Sequence, residues 1–287
     1  MNFKLIRDFA ERNNIIAGAC NAAPLEQTAQ CTSPFVPFVS ENYEKRTNPA
    51  ATLKGVQSII VIGVGCTDVP KKAAYAEFFR RTKCGTAVLS SLGTANDYHI
   101  KVKNLLRSLV SEMKIHADFK YKILVDSASL DERALALRAG LGFFGRNGLI
   151  ISKKFGSRFN IGCLLTTLPI SNFPEKSSAL SCPPSCNLCI KSCPKKSLCI
   201  SYLTQKDELS PEESIQIGNQ LYGCDICQDV CPFNAHMPKQ SSFVNPQEWL
   251  AMSDDEFEKA YGHTAMLWRG TDILRRNANA VIENLYK

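Results

Sequence analysis

A chain of 287 residues, 45% hydrophobic and 21% charged, has the composition of an ordinary globular protein and the length for one large or two modest domains. Its first residues, MNFKLIRDFAERNN, put charges where an export signal needs an apolar run, and no later stretch approaches the roughly 18 apolar residues of a membrane span, so a soluble cytoplasmic protein with no membrane contact is expected. The net charge of +7 suits a polyanionic partner, but the paired basic residues Lys71-Lys72, Arg80-Arg81, Lys153-Lys154, Lys195-Lys196 and Arg275-Arg276 read equally as solvated faces.

Residues 2–14 have helical spacing, with Phe3, Ile6, Phe9 and Ala10 on one side, and Ile15–Ala19 is a candidate short strand. An irregular Pro-rich stretch from Pro24 to Pro49 follows. Ser58–Val64 is an apolar, β-rich run of the kind buried on both faces. Helices are expected over 71–82 and 97–114, the second with Tyr98, Val102, Leu105, Leu109 and Met113 on one stripe. Tyr121–Val125 reads as a strand ending at Asp126, Asp131–Ala139 as a helix, and Gly148–Ser152 and Asn160–Thr167 as strands, which makes the N-terminal part α/β. Pro169, Ser171, Asn172, Pro174, Ser177 and Ser178 mark a linker. Further on, Ser253–Tyr261 opens with a Ser-Asp-Asp helix start, and Thr271–Leu285 is a second amphipathic helix. The expected organisation is an α/β domain over 1–168, a linker over 169–180, a cysteine-rich domain over 181–240 and a helical tail over 241–287.

The 13 cysteines are the unusual number. Five of them, Cys20, Cys31, Cys66, Cys84 and Cys163, are scattered and read as small buried hydrophobes. The other eight lie between Cys182 and Cys231, and without an export signal metal ligation explains them better than disulfides. Cys186-Asn-Leu-Cys189-Ile-Lys-Ser-Cys193-Pro194 recurs as Cys224-Asp-Ile-Cys227-Gln-Asp-Val-Cys231-Pro232, at an offset of 38. This duplicated C-x2-C-x3-C-P is the tail of the bacterial ferredoxin run, in which the last cysteine ligates the opposite cluster. Crossing gives Cys186, Cys189 and Cys231 to one 4Fe–4S cluster, completed by Cys182, whose longer spacing bends the loop through Pro183-Pro184. It gives Cys193, Cys224 and Cys227 to the other, completed by Cys199, because Gln220 stands where symmetry would put a cysteine. Zinc sites pair two C-x2-C units and have no use for the crossed Cys-Pro. Two fully ligated clusters form an electron relay, so the substrate must react elsewhere.

Gly140-Leu-Gly142-Phe-Phe-Gly145 matches the dinucleotide fingerprint only formally, since here a helix precedes the glycines and a strand follows. The glycines are better read as letting backbone approach a large planar ligand. Asp126, at a strand's C-terminal end, is either a proton donor or an ordinary turn aspartate. Asp97-Tyr98-His99 are either polar site residues or the first turn of a helix.

Val125-Asp126 through Glu132-Arg133, Arg138, Gly140-Leu-Gly142-Phe-Phe-Gly145-Arg146-Asn147, with Cys199-Ile-Ser201-Tyr-Leu-Thr and Tyr222-Gly223-Cys224-Asp225-Ile-Cys227-Gln228, resemble the epoxyqueuosine reductase family from the N-terminal helix to about Asn277. The resemblance implies a nitroreductase-like N-terminal domain that binds cobalamin, without a histidine on cobalt, against a two-cluster ferredoxin domain. It implies reduction of epoxyqueuosine to queuosine at the tRNA wobble position, in the anticodon region. Electrons from a ferredoxin- or flavodoxin-like donor would pass through the clusters to cobalt, reduced cobalt would attack the substrate, and an Asp126 carboxyl kept protonated by burial would protonate the leaving oxygen. By the same implication Asp126, Tyr98, Ser201 and the Gly223, Cys224 and Asp225 loop touch cobalamin, with main chain near Ile150 and Ile161, and the protein is a monomer. Asn147-Gly148-Leu149 replaces bulkier polar residues of the family, Ser129 a common proline, and Leu92-Gly93-Thr94-Ala95-Asn96 the usual Tyr-Ala-Arg-Gly. Long members continue into a helical-repeat domain near whose start Leu274-Arg275-Arg276-Asn277 lies, so a reduced or different tRNA surface is expected. The other readings are a corrinoid iron–sulfur reductase of another substrate, such as an organohalide, and a two-cluster electron carrier.

Overall fold

The computed structural model describes residues 1–25, 42–66, 86–127, 129–173, 180–194, 198–239 and 241–286. The helix expected over 71–82 lies outside them, as do Cys31 and Cys84. The described residues form two compact units that are not consecutive pieces of chain. One draws on the ranges 1–66, 99–187 and 232–234, the other on 86–98, 188–231 and 235–286.

The first unit is built on a four-stranded, wholly antiparallel sheet. Strands β1 (Ile16–Asn21) and β2 (Ser58–Gly65) pair, and β3 (Ala87–Leu89) belongs to the other unit. The order is completed by β4 (Tyr121–Leu124) and, after the two-residue strands β5 (Phe143–Phe144) and β6 (Ile150–Ile151), by β7 (Phe159–Thr166), giving β1-β2-β7-β4. Every residue of β2 is buried, as its unbroken apolar run requires of a strand covered on both faces. The helix Tyr98–Lys114 covers one face, and a Cβ on Gly162 of β7 would strike its Val102 and Leu106 side chains. Its buried stripe is Val102, Leu106, Leu109, Val110 and Met113. Leu105, expected on it, is only partly buried, because a straight helix turns 3.6 residues at a time and the next inward position falls at 106. Helix Lys4–Arg12 buries Ile6, Phe9 and Ala10 as expected. Cys20 and Cys163 behave as buried hydrophobes.

The second unit holds a small sheet in the order β8-β3-β9, where β8 is Gln220–Tyr222 and β9 Ser242–Val244. Trp249 packs edge-on against Phe257 and Tyr261, at centroid separations of 5.6 and 5.4 Å. The helix Asp254–Tyr261 begins in a capping box between Ser253 and Glu256, as its Ser-Asp-Asp start forecasts. The helix Thr271–Leu285 is a central element, with Leu274, Asn277, Ala278 and Val281 buried. Arg276 is no solvated cation: it donates to the carbonyls of Leu203, Lys206 and Asp207. No helix among the described residues is long and apolar enough to cross a membrane.

Candidate active site and cluster region

In the first unit, β4 delivers the chain to Asp126, which adopts a left-handed backbone (φ 49°) that few residues other than glycine tolerate. The reversal turns its side chain outward. The Asp126 carboxylate is 70% exposed, and its Oδ2 lies 3.8 Å from His99 Nε2 at the start of the Tyr98–Lys114 helix. Of the Asp97-Tyr98-His99 trio, His99 is the residue brought to Asp126, whereas Tyr98 opens the helix and Asp97 donates its amide to the His263 carbonyl. Burial of Asp126, expected for an acid kept protonated, is not what the chain itself provides: the turn places it at the surface.

The strained turn is held from below. Glu132, the first residue of the helix Glu132–Arg138, accepts the amide of Asp126 at 3.0 Å and that of Ser127 at 2.7 Å, one on each carboxylate oxygen. Burial pushes the Glu132 carboxyl up to about 7, against the lowering pull of those two amides, and the nearby Asp126 charge adds to the rise. Asp131 fixes the helix start by accepting from the Ala134 amide at 3.0 Å. The sequence signal for Glu132 was present, a glutamate opening a helix six residues beyond a candidate acid, and it went unused.

The glycine-rich segment does other work than expected. Gly140 closes the preceding helix in a left-handed conformation (φ 78°), and a Cβ on Gly142 would meet the Ile151 carbonyl oxygen at 2.1 Å. Gly142 thus lets β6 pack against its own backbone, while a Cβ on Gly140 would meet nothing within 4 Å. Ile150 in β6 is 4% exposed, and Ile161 pairs with Gly63 across β2, so both offer main chain rather than side chain.

In the second unit the duplicated motif folds alike twice. A short helix starts two residues after the leading cysteine in each copy: Leu188–Ser192 carries Cys189, Ile226–Asp229 carries Cys227, and the two helices pack together. Cys193 and Cys199 lie near enough to both Cys224 and Cys227 for their charges to repel, and Cys189 also acts on Cys227. Burial, reinforced by those neighbours, pushes Cys224 and Cys227 up to about 12. Thiols this reluctant to ionise are poor free nucleophiles and are deprotonated when iron replaces the proton. In the other unit, the Cys186 amide bonds the Pro183 carbonyl at 3.0 Å, closing the turn expected from Pro183-Pro184. Gln220, at the position lacking a cysteine, is a buried strand residue. None of the cysteines among the described residues forms a disulfide.

The remaining cobalamin candidates fit unevenly. A Cβ on Gly223 (φ 67°) would overlap Ser90 Oγ at 1.9 Å, and Asp225, 5% exposed, spends its carboxylate on the Ser91 amide (2.7 Å) and hydroxyl (3.0 Å). Both residues are taken up in docking the 90–91 turn, and only their main chain is left for a ligand. Ser201 sits in the helix Ile200–Leu203, half-buried. The exposed carboxylate of Asp126 fits a bound group best.

A family model described as "Epoxyqueuosine reductase QueG, DUF1730" matches residues 46–127, and one described as "4Fe-4S double cluster binding domain" matches residues 181–234, a span that contains all eight clustered cysteines. The chain is 34% identical to an epoxyqueuosine reductase of Lactococcus garvieae over 269 residues, 86% of this chain and 74% of the relative. It is also similar to a solved epoxyqueuosine reductase bound to an epoxyqueuosine-modified tRNA-Tyr stem loop (TM-score 0.83, 25% identity, 99% of this chain and 82% of that one). A Bacillus subtilis epoxyqueuosine reductase solved with its aspartate-bearing catalytic loop swung out of the active site is similar to the same degree (TM-score 0.83, 26% identity, 99% and 82%).

Proposed function

The chain belongs to the epoxyqueuosine reductase family, and from that premise we propose that it reduces epoxyqueuosine in tRNA to queuosine, with Asp126 as the proton donor. It is a mixed α/β oxidoreductase with a double 4Fe–4S cluster binding domain. The observation that carries the reading is the Asp126 turn: an outward carboxylate beside His99, held by Glu132, in a chain that matches over nearly its whole length a relative solved with the modified stem loop.

The chemistry balances as the epoxide plus two electrons and two protons giving the alkene and water. Both carbon–oxygen bonds break, a carbon–carbon double bond forms, and the oxygen must be protonated to leave. Asp126 supplies a proton at that oxygen, with His99 flanking the carboxyl 3.8 Å away. Because the chain leaves Asp126 exposed, the bound substrate and cofactor must themselves exclude water and favour the neutral acid.

One cluster is assigned to Cys182, Cys186, Cys189 and Cys231 and the other to Cys193, Cys199, Cys224 and Cys227, fed by an external ferredoxin or flavodoxin. Support for the second set comes from Cys193 and Cys199 being among the thiols whose charge acts on both Cys224 and Cys227. Cobalamin belongs to the same proposal, with Asp126 and the main chain of Ile150 and Gly223 as its contacts. When bound it would supply a low-potential cobalt centre for delivering electrons to carbon. A nitroreductase-like N-terminal domain, a cytoplasmic location and a monomeric state complete the reading.

The test is anaerobic assay of the purified protein, given cobalamin and dithionite, on tRNA carrying epoxyqueuosine. Queuosine appearing in nuclease digests supports the reading. A protein with full iron content and bound corrin that leaves epoxyqueuosine unchanged refutes it.

A further inference from the structure

We propose that Glu132 is a positioning residue, a latch whose two carboxylate oxygens hold the Asp126 loop in its working conformation by gripping the amides of Asp126 and Ser127. The inference rests on Asp126 as the acid and adds what governs its placement. Aspartate tolerates left-handed backbone better than most residues, but the conformation still costs free energy that a specific contact can offset. Among the described residues the Glu132 side chain makes such a contact: one oxygen bonds each amide, at 3.0 and 2.7 Å, so the carboxylate grips two successive amides of the turn. The Bacillus subtilis relative with its catalytic loop swung out demonstrates that such a loop has a second position in this family. Releasing two amides together is the simplest way for this chain to reach one.

Glu132 is a costly choice for fold stability alone. Its carboxyl is withdrawn from solvent, and the titratable groups facing it, Asp126 on the loop and Cys163 on β7, offer no positive charge. Asp131 beside it is spent on the helix N-terminus, and Arg133 reaches away to the Gly148 carbonyl. The two amides offset only part of the cost of the ionised Glu132 carboxylate, and charged acceptors hold amides more strongly than neutral ones. The latch should tighten as the pH rises through about 7, where this carboxyl loses its proton.

Glu132→Gln separates a latch from a structural residue. Glutamine keeps the shape but offers one accepting oxygen, and it removes a charge the fold accommodates poorly. Hydrogen exchange at the Asp126 and Ser127 amides of the holoenzyme should quicken by about tenfold or more, the loss of one charge-assisted bond. Exchange in the β4 and Glu132–Arg138 amides should stay unchanged. Turnover should fall by about tenfold with KM for tRNA within about twofold, and the wild type's rise in turnover through pH 7 should flatten. Unchanged exchange at the two amides overturns the latch, as does exchange that quickens along the whole helix. Asp126→Asn, run in parallel, keeps the two readings apart: full turnover there removes Asp126 as the acid, while the exchange data still decide whether Glu132 holds the loop.

Discussion

Asn277 offers the sharpest test of how the second unit is held together. It is fully buried, and its Nδ2 donates to two backbone carbonyls at once, Thr204 and Leu221, each at 2.8 Å. Thr204 Oγ1 in turn accepts the Gly223 amide at 2.9 Å, one residue before Cys224. Asn277→Ala leaves two buried carbonyls without a donor at about 1–3 kcal/mol each, for an expected loss of about 2–6 kcal/mol. That is a large share of the roughly 5–15 kcal/mol stabilising a domain. Both tryptophans, Trp249 and Trp268, lie in this unit, so their fluorescence during anaerobic urea unfolding reports on it. The variant should unfold at clearly lower urea, and its iron should be released faster, because the strand entering Cys224 has lost its tie. Exposed Asn279 on the same helix is the control, with an expected change within about 0.5 kcal/mol for its alanine variant. An Asn277→Ala midpoint no different from that of Asn279→Ala would refute the reasoning.

Asp126→Asn should abolish turnover while iron content stays at the wild-type level; retained turnover would mean that another group protonates the oxygen. Cys199→Ser should lower the iron of anaerobic preparations from about eight to about four atoms per chain, since each cubane holds four, and unchanged iron would refute that ligand. Glu132 also predicts how stability varies with pH. Its folded value of about 7 lies above the unfolded 4.5, so the native state holds a proton that the unfolded state has lost across that window, and stability falls as the pH rises from about 4.5 to about 7. At 1.36 kcal/mol per unit the fall is about 3 kcal/mol, and urea midpoints of Glu132→Gln over the same range should lack that component. Equal pH slopes in the two proteins would show that Glu132 does not titrate there.

What the sequence revealed and what it hid divide along a physical line. Cluster ligation demands particular residue types at short, repeated spacings, so the Cys186 and Cys224 repeats could be read directly, and the structure gives each the same short helix at the same offset. A strand buried on both faces is likewise written in its own residues, as in Ser58–Gly65, and so is a capped amphipathic helix such as Asp254–Tyr261. Features that depend on distant partners were not available. Nothing local in Arg275-Arg276-Asn277 says that the arginine and asparagine turn inward to the carbonyls of Leu203, Thr204 and Leu221. The role of Gly142 was hidden for the same reason, since the backbone it accommodates, at Ile151, is fixed only when β6 folds back on β5. Asp126 stands between these cases. Its type and position at a strand end were legible, but its setting is made by residues of other elements: His99 from another helix and Glu132 behind the turn. A repeated cysteine spacing is written in the sequence itself, whereas the setting of a turn residue such as Asp126 is made by neighbours that only the fold brings to it.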